Sequence, residues 1–168
     1  GGLYAQKKAV VTLKAGSIKN NKSEMYGDGV YVVSEGTKIK MTEQFYLGGN
    51  DVKLDNVKCV LEIIGNKLAK HSASDPLLLT PNYSAKEGTV VATCKNTSIA
   101  KSMAVMVKAG DGSYNVLQKD KNFTIEYATA DMDMTGADTV YVSNFKELKE
   151  AVKTTDSKRY IILTADIV

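Results

Sequence analysis

Gly2-Leu3-Tyr4-Ala5 and Gly29-Val30-Tyr31-Val32 lie 27 positions apart and read as one phrase written twice. The blocks that follow, Val11-Thr12-Leu13 and Ile39-Lys40-Met41, lie 28 apart, and Ile18 then matches Phe45 at 27 again. Matched blocks at a period in the twenties mark a solenoid, whose units cannot bury an inner face alone and must stack on a neighbour. The competing reading is a pair of unrelated hairpins with an accidental likeness. The repeat predicts a definite pairing. Residues 3–5 run parallel to residues 30–32 at about 4.8 Å, with Leu3 over Val30 inside and Tyr4 over Tyr31 outside.

Working outward, the strand signal is period-two alternation, as in Lys38-Ile39-Lys40-Met41, which buries one face and solvates the other. Further strand-like runs are 58–64, 77–80, 89–94, 103–108, 114–118, 122–127, 139–142 and 160–164. Gly48-Gly49-Asn50, Gly110-Asp111-Gly112 and Lys119-Asp120-Lys121 break them up. Many short strands with regular turn signals mean an all-β chain. One helix is expected near 145–153, the only substantial one. Asn144 caps it, Glu147 stands three residues on as in a capping box, and Phe145, Leu148 and Val152 form a stripe expected to be buried.

The repeat blocks carry a resemblance. Gly1-Gly2-Leu3 is similar to a Gly-Gly-aliphatic motif, and Ile18-Lys19-Asn20-Asn21 to an aliphatic-x-x-Asn motif. Both motifs belong to the right-handed parallel β-helix repeats of bacterial surface proteins of the polymorphic outer-membrane-protein and adhesin type. In the second copy Gly27-Asp28-Gly29-Val30 replaces the glycine pair, and Phe45-Tyr46-Leu47-Gly48 has no Asn. Glycine is expected there for a left-handed corner between strands. The resemblance implies β-helix coils over 1–56. Residues 57–130 then form a β-rich segment, either further irregular coils or an Ig-like sandwich. Residues 131–168 resemble a linker and a helix-strand cap that opens a following β-helix. The chain starts and stops inside strand-like patterns and reads as part of a longer protein.

Composition sets the outer limits on function. The chain has 168 residues, 43% of them hydrophobic, enough for a core without staples. A formal charge of +3 with scattered lysines and one arginine, Arg159, gives no nucleic-acid footprint. No run of about 18 apolar residues is present to span a membrane. Cys59 and Cys94 read as two buried thiols or as a disulfide.

Candidate chemistry is sparse. A glycosidase needs two carboxylates flanking the scissile bond. The acids of residues 1–56 (Glu24, Asp28, Glu35, Glu43, Asp51 and Asp55) fall mostly in predicted turns. His71, inside Lys70-His71-Ser72-Ala73-Ser74, reads as a solvated loop histidine. Asp131-Met132-Asp133-Met134-Thr135-Gly136 has the alternate oxygens of a calcium loop, but Val142 stands where the closing glutamate belongs. No catalytic, cofactor-binding or metal-binding residue is therefore assigned, and no cofactor is expected. Nine tyrosines could make a sugar-stacking surface, but an aromatic ladder explains Tyr4 and Tyr31 without a ligand. The resemblance implies a non-enzymatic structural or adhesive module at the cell surface or outside the cell. Its partner would be a host or matrix ligand, a glycan among the candidates. The first coil and the last strand, Tyr160 to Val168, are expected to be exposed, with either the strand folding back onto the chain's own sheet or neighbouring molecules associating edge to edge. The alternatives are a carbohydrate-binding module and a remnant of a polysaccharide-active β-helix enzyme.

Overall fold

A computed structural model describes residues 2–23, 27–82, 84–127, 138–153 and 159–163. The chain divides into two compact units, Gly1–Ala128 and Thr129–Val168.

The first unit winds as a parallel β-solenoid of about four turns. The first rung holds β1 (Leu3–Ala5) and β2 (Val10–Lys19), and the second holds β3 (Val30–Val32) and β4 (Lys38–Gly48). The third holds β5 (Asp51–Leu54) and β6 (Leu61–Ile63), and the fourth holds β7 (Leu77–Thr80) and β8 (Val90–Cys94). The helix α1 (Thr97–Met103) and a 3-10 turn (Ala104–Met106) lead into β9 (Val107–Ala109). An antiparallel hairpin follows, β10 (Tyr114–Lys119) and β11 (Asn122–Tyr127). One sheet runs β1-β3-β5-β7-β9, parallel throughout. The other runs β2-β4-β6-β8 in parallel and then takes β11 and β10 antiparallel. The segment after Asn56 thus continues the coils and ends in a hairpin.

The expected pairing is present: Leu3 faces Val30, Tyr4 faces Tyr31 and Ala5 faces Val32, all parallel. Its period is composite. Val30 to Val52 and Ile39 to Leu61 both span 22 positions, so the tight rung has 22 residues and longer rungs carry loops. A register slip between Leu13 and Ala15 inserts one residue into β4, as a β-bulge does. Beyond it Ile18 pairs with Leu47 and not with the expected Phe45. Leu47-Gly48-Gly49-Asn50 is then the second aliphatic-x-x-Asn motif. The Asn50 amide nitrogen donates to the Asn21 carbonyl at 3.1 Å, and the Asn21 backbone N–H donates to Asn50 Oδ1 at 3.3 Å. The two asparagines satisfy corner backbone groups that no strand can reach.

The expected reason for the motif glycines holds at Gly27, whose φ is +53°, and needs correction at Gly2 and Gly29, neither of which lies in the left-handed region. The chain passes too close for a side chain instead: a Cβ on Gly29 would stand 2.8 Å from Asn50 Cβ and 2.9 Å from the Asp51 carbonyl oxygen.

The core consists of columns, one residue per rung. Ile39, Leu61 and Ala92 stack in one; Met41, Ile63 and Cys94 stack in the next; Val30, Val52 and Leu79 stack opposite. Burying each Leu or Ile contributes about 1.5–3 kcal/mol of transfer free energy. Beside β8, α1 adds Ala100 and Met103, and the hairpin adds Phe123 and Ile125. The expected strand 103–108 is a strand only from Val107. Asn96 overrides it by accepting the Ile99 N–H at 3.0 Å, which starts α1 upstream and carries the helical turn through Met103.

The second unit pairs β12 (Asp138–Val142) with β13 (Arg159–Leu163) in parallel, with α2 (Phe145–Ala151) between them in sequence. The cap is as expected at Asn144, which accepts the Glu147 N–H at 3.0 Å, while the Glu147 carboxylate accepts the Ser143 N–H at 2.7 Å. Those donors hold the carboxyl of Glu147 below its ordinary range. The expected buried stripe is not found. Phe145 and Val152 are exposed and Leu148 is half-buried, because the helix turns Ala151 inward. Nor is α2 the only substantial helix, since α1 has the same length of 7 residues.

Candidate functional site

The walls of the first unit display side chains in register. Tyr4 and Tyr31 stand on adjacent rungs with ring centroids 5.6 Å apart and planes tilted by 51°. Tyr4 donates its hydroxyl to Gln6 Oε1, and Tyr31 donates to Asp55 Oδ2 at 2.8 Å. On the other sheet Lys40 pairs with Glu62 at 3.2 Å. These are rows built by stacking.

A different environment lies on the second half of β4. Its first half is paired on both sides, by β2 and by β6, but β6 stops at Ile63. The chain then runs through an irregular loop, 64–76, before β7. The Ile64 N–H makes one last backbone bond to β4, to the Met41 carbonyl at 2.9 Å, and beyond it the loop touches β4 through the side chains of His71 and Asp75. Tyr46 donates its hydroxyl to Asp75 Oδ2 at 2.7 Å, and its ring lies 5.4 Å from the His71 ring. The Asp75 hydrogen bond and charge, with burial, push the Tyr46 hydroxyl above its ordinary pKa.

His71 is not the expected solvated histidine. It is only 7% exposed, and neither ring nitrogen has a hydrogen-bond partner among the described residues. The cause is a turn in which the His71 N–H donates to the Leu68 carbonyl at 3.1 Å. That turn sends Leu68 and His71 inward together, while Lys70, Ser72, Ala73 and Ser74 stay exposed. Burial pulls the His71 pKa below its ordinary value, against the opposing pull of Asp75.

Beside this cluster is a recess of about 600 Å³ lined by Ala15, Gly16, Ser17, Gln44, Tyr46 and Lys70. It exists because the register sets small residues against large ones: Ala15 faces Gln44 and Ser17 faces Tyr46. No reading of the isolated sequence singled out Tyr46, Gln44 or Asp75. The signal for them is the bulge, because only the shifted register places Ser17 beside Tyr46.

Cys59 and Cys94 are both buried free thiols. Burial raises the Cys94 pKa to about 11, and burial with the Asp55 charge raises that of Cys59, so neither is a ready nucleophile. Asp131 and Asp133 lie outside the described residues. Among the described residues no three His, Cys, Asp or Glu side chains group to hold a metal, and no helix is long and apolar enough to cross a membrane.

Compared with known proteins, the chain matches no family model, no curated protein and no solved structure. Its class rests on geometry: a parallel β-solenoid closed on one sheet by an antiparallel hairpin.

Proposed function

We propose that this chain is a non-enzymatic structural and adhesive module of a secreted or cell-surface repeat protein, of the bacterial adhesin kind its repeat motifs resemble. The observation that carries the reading is the display of outward side chains in register on adjacent rungs, Tyr4 beside Tyr31, on a wall that backbone pairing holds rigid. Stacked repeats make extended surfaces of this sort, suited to long ligands. The partner on this reading is a host or matrix ligand with many weak, spaced contacts. Self-association along the outer edges of β1 and β2, the terminal strands of their sheets, would follow from their unpaired edges and not from the adhesive function.

A second reading, a carbohydrate-binding module, draws support from the half-buried Tyr46 at the recess, an aromatic face with polar neighbours. The test is an array of glycans and matrix proteins probed with the chain, followed by incubation of each ligand found. Binding with no chain shortening of the ligand is the expected result. Release of new reducing ends or unsaturated products would overturn the non-enzymatic assignment, and silence across the array would overturn the adhesive one.

A further inference from the structure

We infer that the recess beside Tyr46 binds an anionic polysaccharide, with the face of one sugar on the Tyr46 ring and its acid group on Lys70. The inference deepens the carbohydrate-binding reading and rests on it. Three observations carry it.

The first is shape. Ala15, Gly16 and Ser17 are exposed residues of an edge strand, and their small side chains leave a low floor. Gln44 and Tyr46 rise beside that floor from the neighbouring strand. A low floor of small residues beside an aromatic ring leaves room for a sugar ring, and the Gln44 amide and Ser17 hydroxyl offer both donors and acceptors to its hydroxyl groups.

The second is preorganisation. Tyr46 is held from three sides. Asp75 accepts a hydrogen bond from its hydroxyl, His71 packs against its ring, and Gly48 leaves the space the ring occupies, since a Cβ there would stand 2.6 Å from Tyr46 Cε1. A side chain fixed before binding loses little freedom when the ligand arrives.

The third is charge. Lys70 is exposed and is the single charged group among the described residues lining the recess. The nearest carboxylate of the cluster, Asp75, is tied behind the tyrosine hydroxyl. An ammonium in no ion pair among the described residues, beside an aromatic ring, an amide and a hydroxyl, selects a flat, hydroxyl-rich anion. Exposed Lys14 and Lys19 stand on the same strand at either side of the floor, on the order of 16 Å apart at about 3.3 Å per residue. That spacing suits a polymer with repeating charge better than a single sugar. A single-stranded nucleic acid also combines charge with stacking, but its affinity rests on many phosphate contacts, and these lysines are few.

The experiment is calorimetric titration of the whole chain with polygalacturonate, chondroitin sulfate, dextran and a single-stranded oligonucleotide. One or both acidic polysaccharides should bind and dextran should not, and the better of the two tells carboxylate from sulfate. Lys70→Gln should weaken binding about tenfold or more, as loss of a charge-assisted hydrogen bond does. Ser17→Trp, which fills the floor, should abolish it. Both positions are exposed, and circular dichroism checks that the variants fold. Equal binding of dextran, tighter binding of the oligonucleotide, or acidic-polymer binding indifferent to both variants would overturn the site. Failure of both variants to matter while an array ligand still binds leaves the adhesive module standing with its contact elsewhere. Failure of every ligand removes module and site together.

Discussion

The two halves of β4 are neighbours on one strand, and they live in different chemistry. Lys38–Met41 has a strand on each side, and its inward residues stand in columns that run through four rungs. Gln44–Gly48 has β2 on one side and the 64–76 loop on the other. Where the backbone ladder continues, every N–H and C=O is spoken for and outward side chains only decorate. Where it stops, side chains make most of the contact, and polar features gather: a buried imidazole whose ring nitrogens have no hydrogen-bond partner among the described residues, a tyrosine locked to a carboxylate, and a recess. In this molecule regular stacking supplies rigidity, and its interruption leaves the recess at which binding is proposed.

Four measurements bear on that contrast. The largest effect belongs to the columns. Leu61→Ala, at a fully buried site between Ile39 and Ala92, should cost roughly 2–5 kcal/mol in denaturant unfolding. A cost near zero would mean the columns do not hold the stack. Next comes the corner: Gly29→Ala should cost about 1–3 kcal/mol, because the new methyl meets a backbone oxygen that cannot move aside. A variant as stable as the parent would show that the corner is loose.

On the irregular side the sign should differ. His71→Phe keeps the shape and removes two orphaned nitrogens, so at pH 8 it should be neutral or mildly stabilising. The pH response separates this from simple repacking. The folded pKa of His71 lies below its unfolded value of about 6.5. The unfolded chain therefore takes up the proton first as pH falls. The stability this group contributes is present above about pH 6.5 and is lost as pH falls through the depressed folded value. The urea midpoint of the parent should drop across that window more than that of His71→Phe, and parallel curves would remove the buried imidazole from the account. The smallest effect is expected from Glu62→Gln, which cuts a half-exposed pair with Lys40 on the regular wall. A change of about 0–1 kcal/mol is the outcome for such pairs.

The repeat was readable because backbone stacking copies itself into sequence. Leu3 over Val30 and Tyr4 over Tyr31 follow from a period that anyone can count. The asparagine corner was half readable: Asn21 stood out, and Asn50 stayed hidden because one inserted residue beyond Leu13 moved the frame. The caps at Asn96 and Asn144 make another instructive pair. Each accepts an N–H three residues on, with nearly the same backbone angles. The Glu147 beside Asn144 announced its helix, and nothing comparable follows Asn96, whose helix was read as strand. Burial was harder still. Phe145 and Val152 have the right spacing for a buried stripe, yet spacing does not say which face meets a partner. His71 was misjudged for the same reason, since its polar neighbours describe the outside of a turn whose inside it occupies. The recess was illegible because its residues come from β2, β4 and the 64–76 loop and meet only in register.

The 22-residue rung, the shortest closed turn in the stack, also sets how such a chain can change over generations. Its walls fix a minimum length, and the excess in the other rungs sits in connecting segments, as between Ile63 and Leu77. Mutation is then confined in kind: substitutions within the walls are policed by neighbours above and below, while insertions between strands are free to lengthen and diversify. A lineage built this way can exchange specificities by swapping loops on an unchanged spool, and the loop bearing Lys70, His71 and Asp75 is where such an exchange would be felt first.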